Sequence, residues 1–185
     1  MKFNKLVVED FGPYRGRNEL DLTTDPDSPI VLFGGQNGAG KTTLFEAFRI
    51  CLHGRSAIGR RVSMNEYHNK IRGKLHDYPD GKAEYASVRL EFEYAHMGEI
   101  DHYSVERSWR DRGKSIVEDL KMRRNGKVPS ELNPDQLQDF LQQLVPPGVA
   151  QLFFFDGEKI QELASAVESD DQFIESIYSL LGLDL

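Results

Sequence analysis

Gly35-Gln36-Asn37-Gly38-Ala39-Gly40-Lys41-Thr42 spells a complete G-x-x-x-x-G-K-[ST] string. An ammonium and a hydroxyl set directly behind a glycine-rich bend suit one kind of ligand, a run of phosphates carrying a divalent cation. Gly35, Gly38 and Gly40 let the backbone close around the anion because no Cβ intervenes. The backbone N–H groups of the bend, from Gln36, Asn37 and Ala39 onward, are donors at a helix N-terminus. Lys41 reaches for the β- and γ-phosphates, the Thr42 hydroxyl for Mg²⁺, and Thr43 for the α-phosphate side. A nucleoside triphosphate, ATP with Mg²⁺, is the expected ligand.

Such a loop works only between a strand and a helix. The apolar run Ile30-Val31-Leu32-Phe33 precedes it and reads as the strand. Leu44, Phe45, Ala47, Phe48, Cys51 and Leu52 follow at helical spacing, and Gly54 supplies a stop. Upstream, Phe3 to Val8 reads as a first strand, Gly12-Pro13 as its break, and Glu19 to Leu22 as its partner. Asp25 to Pro29 is a turn cluster. Residues 55–80 are polar and mixed, with no element assigned. Ala83 to Tyr94 alternates in a half-buried strand pattern, and Ile100–Trp109 and Ser115–Met122 continue it. Asn125-Gly126 marks a tight hairpin, so an antiparallel meander is expected here. Asn133-Pro134-Asp135 opens a helix with the stripe Leu137, Phe140, Leu141 and Leu144. Further helices are expected from Gly157 onward and from Asp170 or Asp171. The fold class is α/β, a P-loop NTPase with an antiparallel meander and a helical C-terminal part.

The chain has 185 residues, 39% hydrophobic and 29% charged, which describes one globular domain. It divides by pattern into 1–54 (strands, loop and first helix), 55–132 (basic segment and meander) and 133–185 (helical region). No apolar run approaches a membrane span, and charges come too early for a signal peptide. The single cysteine, Cys51, falls on an apolar helix face and argues against a disulfide framework, which favours the cytoplasm. The five histidines lack zinc-type spacing and read as surface or satisfied polar residues. Net charge is −7, unlike a domain that clamps DNA over its whole surface. Arg55, Arg60, Arg61, Lys70, Arg72 and Lys74 nevertheless cluster against Glu66 alone. That cluster reads equally as a phosphate-contacting patch or as a solvated loop.

Leu152-Phe153-Phe154-Phe155-Asp156-Gly157-Glu158 carries a second carboxylate site. It reads as a Walker B strand ending in Asp156, or as a loop reaching to the metal from a neighbouring lobe; a plain buried strand ending in a turn is the third reading. In both functional readings Asp156 serves Mg²⁺ and, with Lys41, the chemistry.

Val8 to Gly16, Gly34 to Ala47 and Phe153 to Ile160 together resemble the N-terminal half of SMC-like ATPase heads of the SbcC type. Within that group the chain looks most like the DndD ATPases of bacterial DNA phosphorothioation systems. The resemblance implies the N-terminal lobe of a bilobal ABC-type head, split by a coiled coil. Walker B, the signature motif and the switch histidine then lie in a C-terminal lobe of the same protein. Two heads, as a homodimer, sandwich ATP, and hydrolysis needs that assembly. DNA and other DNA-modification proteins are the implied partners. An SbcC-like repair or anti-phage ATPase is the alternative within the family. The chain departs from the pattern in two places. Asp156 stands where a Mg²⁺-directed glutamine is usual, so either it or Gln151 serves the metal. Gly12-Pro13 replaces a basic and a small polar residue, which makes Arg15 a substitute phosphate contact. From outside the family, a self-contained P-loop kinase with Asp156 as its own Walker B, or a nucleotide-gated binding module, fits the same loop.

Overall fold

The first strand is Lys2–Phe11 (β1), and it turns at Gly12-Pro13 into Tyr14–Asp21 (β2). Lys41–His53 forms α1, followed by one 3₁₀ turn at Gly54–Ala57, and Met64–Arg72 forms α2. A two-strand ribbon, Asp77–Tyr78 (β3) with Gly81–Lys82 (β4), precedes three long strands. These are Tyr85–His96 (β5), Glu99–Asp111 (β6) and Ile116–Arg124 (β7), and Pro134–Leu144 then forms α3. The computed structural model describes residues 1–146 apart from Arg60, Met97 and 130–132. The chain divides into two compact units, Met1–Phe140 and Leu141–Leu185. The helices expected after Gly157, together with Gln151 and Asp156, lie outside the described residues.

The main sheet runs β2-β1-β5-β6-β7, and every described pairing is antiparallel. Period-2 alternation explains which face each strand buries. On β6, Tyr103, Val105, Arg107 and Trp109 are buried, while Ser104, Glu106 and Ser108 lie between them on the wetter face. That outer face is laced with Lys5–Glu19, Arg17–Glu19 and Arg89–Glu106 pairs. Such pairs keep a sheet face solvated and add little to stability.

Helix α1 packs its apolar stripe on the inner face. Phe48 meets Phe3 edge-on at 5.6 Å, and Phe92 stacks on Tyr103 at 5.3 Å. The Cys51 thiol lies against the Val88 and Val105 carbonyls at 3.4 and 3.6 Å, and burial pushes it up to about 12. It is a core residue and unreactive.

Four sequence expectations change. Residues 55–80 contain α2, capped by a reciprocal Ser63–Glu66 box and anchored by buried Tyr67 and Ile71. Within the basic cluster, Lys70 and Lys74 pair with Glu46 of α1, and Arg72 pairs with Asp111 at 2.7 Å. Those three cations are engaged in ion pairs within the fold. The Asn125-Gly126 turn forms with both φ positive, 50° and 76°, but it joins only Arg124 to Lys127 by a single bridge. The meander turns instead between His96 and Glu99 and at 112–115. Finally, Ile30–Phe33 is no strand: it pairs with nothing among the described residues, and Ile30 and Leu32 are 82% and 89% exposed.

His53 departs from the satisfied-histidine expectation. It is buried at the end of α1, and neither ring nitrogen has a partner among the described residues. Burial first, then Arg49 and Arg107, pull it down from 6.5 to about 4. The native ring therefore stays neutral where an unfolded one protonates. Stability is full above pH 6.5 and falls as pH drops toward 4, by about 2–3 kcal/mol between pH 7.5 and 4.5. Urea midpoints at the two pH values should show that loss in the parent. A His53→Leu variant should show a flatter dependence; an identical pH dependence in both would contradict the assignment.

Candidate functional site

The phosphate loop is a bend followed by a helix start. The Ala39 N–H donates to the Gln36 carbonyl at 3.1 Å, and Gly38 and Gly40 take φ of 82° and 99°. Left-handed backbone at these two positions is what glycine permits. Gly35 needs no such φ; a Cβ there would come within 3.3 Å of Ala39 Cβ. Gly40 is the N-cap of α1 and supplies no side-chain capping hydrogen bond, and the first turn holds no acidic residue. The N–H groups and the positive end of the helix dipole are thereby left for an anion.

Lys41 is the first residue of α1, and its Nζ lies 2.9 Å from the Gly35 carbonyl and 3.0 Å from the Gln36 carbonyl. The ammonium thus bridges the mouth of the bend at its own loop. Thr42 is exposed beside it, and Thr43 turns its methyl toward Gly12. Gln36, Asn37 and Ala39 line the same bend and are exposed. This donor set, an ammonium, a hydroxyl and the backbone N–H groups at the start of α1, fits a Mg²⁺-triphosphate.

Arg15 meets Tyr78 rather than a loop residue among the described contacts. It is exposed on β2, with its guanidinium 5.2 Å above the Tyr78 ring. The structure thus brings Gly35 to Thr43 together and leaves Arg15 on an aromatic neighbour. Asp156 and Gln151 lie outside the described residues.

The resemblance put the β1–β2 tip beside the phosphates through Gly12-Pro13 and Arg15, but sequence reasoning missed Tyr14 as the residue that hydrogen-bonds the loop. The Tyr14 hydroxyl donates to the Gly40 carbonyl at 3.2 Å, and desolvation raises that phenol above its ordinary value. The Gly-Pro-Tyr string at a hairpin break was the available signal, since a tip that must fit against another backbone favours glycine.

Comparison with known proteins adds the family. The AAA domain profile matches residues 5–181. Over 58 residues the chain is 39% identical to the SbcC component of the SbcCD nuclease from Vibrio cholerae, a match that covers 31% of this chain and 6% of that one. The SbcC protein of Treponema pallidum is 38% identical over 64 residues, 35% of this chain and 6% of the relative. That of Staphylococcus aureus strain JH9 is 30% identical over 96 residues, 52% and 8% respectively. The chain thus spans less than a tenth of the length of these relatives. No helix among the described residues is long and apolar enough to cross a membrane. A formed phosphate loop at the head of α1, within a match that runs almost the length of the sequence, leads to one conclusion: the chain belongs to the AAA domain family of P-loop ATPases.

Proposed function

We propose that this chain is the ATP-binding N-terminal lobe of an SMC-like head of the SbcC type, acting on DNA with a nuclease partner in the cytoplasm. One observation carries the reading. The phosphate loop is fully formed, yet the apolar run that feeds it, Ile30–Phe33, is bare among the described residues. An exposed apolar run without a sheet partner calls for cover from outside the described residues. A C-terminal lobe of the same protein supplies it in this reading, along with Walker B and the signature motif. Lys41 neutralises phosphate charge, Thr42 holds Mg²⁺, and Asp156 or Gln151 assists the metal once the lobes close. Arg15 serves as a phosphate contact from the same hairpin tip in this reading.

The finer assignment to DNA phosphorothioation rests on the DndD-like motifs alone. The similarity to SbcC proteins favours DNA-end processing. In either pathway ATP joins two heads. Light scattering on the intact protein should therefore show a shift toward the dimer with Mg²⁺-ATP and none with Mg²⁺-AMP. A mass independent of nucleotide would count against the sandwich.

A further inference from the structure

The tip of the first hairpin is fitted into the phosphate loop more closely than a connecting turn requires. Gly12 has φ +58°, and a Cβ there would lie 2.6 Å from Thr43 Cγ2. Gly40 has φ +99°, and its Cβ would lie 2.7 Å from Pro13 Cγ and 3.0 Å from the Tyr14 ring and hydroxyl. Both backbones dispense with a side chain at one junction. The Tyr14 hydroxyl closes it by donating to the Gly40 carbonyl. That carbonyl also accepts the Leu44 N–H at 3.0 Å, the opening hydrogen bond of α1. A second element thus fixes the residue immediately before Lys41.

Behind the tip stands a splint, residues 74–78. The Gly12 N–H donates to the Lys74 carbonyl at 2.6 Å. His76 Nδ1 lies 2.8 Å from the Gly12 carbonyl; a carbonyl only accepts, so this nitrogen carries the hydrogen. The His76 N–H donates to the Asp10 carbonyl at 2.9 Å, and the Tyr78 hydroxyl donates to Asp10 Oδ1 at 2.6 Å. Lys74 in turn pairs with Glu46 on α1. The contacts make a closed ring from α1 through the splint to the tip and back to α1. A hairpin tip alone is a mobile element; this one is held on two sides.

We infer that Tyr14 is a positioning residue for the nucleotide: through the Gly40 carbonyl it sets the backbone that presents Lys41 and Thr42, and the 74–78 splint keeps that setting rigid. Tyr14 touches no phosphate itself. The inference rests on the loop being the Mg²⁺-ATP site. Because the setting acts on the phosphate-binding backbone, its effect belongs to the phosphates and not to the base. That distinguishes it from a tyrosine ring stacked on adenine.

The test is Tyr14→Phe in the intact protein, titrated with Mg²⁺-ATP and separately with Mg²⁺-tripolyphosphate, beside a thermal melt. The loss of one neutral hydrogen bond should weaken both ligands equally, about 3- to 10-fold, with the melting temperature lowered by no more than about 6 °C. Weaker ATP with unchanged tripolyphosphate would make Tyr14 a base contact and overturn the inference. Unchanged affinity for both would overturn it too, while leaving the loop assignment intact. No binding by the parent protein would instead remove the loop assignment. If Tyr14→Phe does not fold, Tyr78→Phe loosens the splint from its exposed side; an equal, smaller loss for both ligands supports the inference, and no change overturns it.

Discussion

Lys41→Ala should weaken Mg²⁺-ATP binding by roughly 10- to 100-fold while leaving the fold intact. Two arguments set those limits. A hydrogen bond to a charged group contributes about 1.5–3 kcal/mol, and each 1.4 kcal/mol is tenfold in affinity. The structural role of the side chain is small: its described hydrogen bonds go to two loop carbonyls, Gly35 and Gln36, on an exposed segment. Surface changes of this kind shift stability by roughly 0.5 kcal/mol or less. Isothermal calorimetry beside a thermal melt separates the two quantities. An affinity unchanged by the substitution would remove the basis for reading this loop as the phosphate site. An affinity lost together with the melt would give Lys41 a folding role that its contacts do not suggest.

The second large effect lies at the other end of α1. Arg107 comes up from β6 with only 3% of its surface exposed. Its Nε donates to the Cys51 carbonyl at 3.1 Å, and its Nη atoms meet Glu118 of β7 and Gln138 of α3. Gln138 Nε2 donates to the Leu52 carbonyl at 3.2 Å. Two side chains from distant elements thus take carbonyls of the last turn of the helix, where a cation is also favoured by the dipole. Gly54 is fitted to the same guanidinium, since a Cβ there would lie 2.9 Å from Arg107 Nη1. Arg107→Met leaves the Cys51 carbonyl without this donor and Glu118 without its ion partner, the Trp109 indole still donating to that carboxylate at 3.2 Å. A loss of about 3–5 kcal/mol follows, roughly 6–20 °C in melting temperature for a domain of this size. Adding Glu118→Leu should recover a substantial part, because the pair is then replaced by apolar volume; the Trp109 indole keeps its 3.0 Å bond to the Tyr67 hydroxyl. Additive losses in the double variant would show that the pair is not the source of the effect.

These two sites differ in how far the sequence announces them. The loop is legible because backbone chemistry fixes its residue types at fixed offsets, and α1 follows because its apolar positions recur at helical spacing. The three long strands were readable by alternation, and α3 by its proline and stripe. Helix α2 was not, since charge dominates its composition and only Met64, Tyr67 and Ile71 recur at helical spacing. The Ser63–Glu66 capping box was its available signal. Ile30–Phe33 was read as a strand from its apolar run, but strand formation depends on a partner that the run itself does not encode. Arg107 shares parity with Tyr103, Val105 and Trp109, which puts a charge on the buried face. Nothing local says which groups will meet it there, because they come from β7, α1 and α3. The Tyr14 contact is hidden for the same reason: 26 positions separate the hydroxyl from its carbonyl.

Cys51 settles a practical matter for spectroscopy. It is the sole thiol of the sequence, shut beneath α1 and held far from its reactive form. A maleimide dye or spin label will therefore pass it by in the native state. A cysteine engineered onto the outer sheet face or beside the loop can be tagged singly, with no need to strip the native background first.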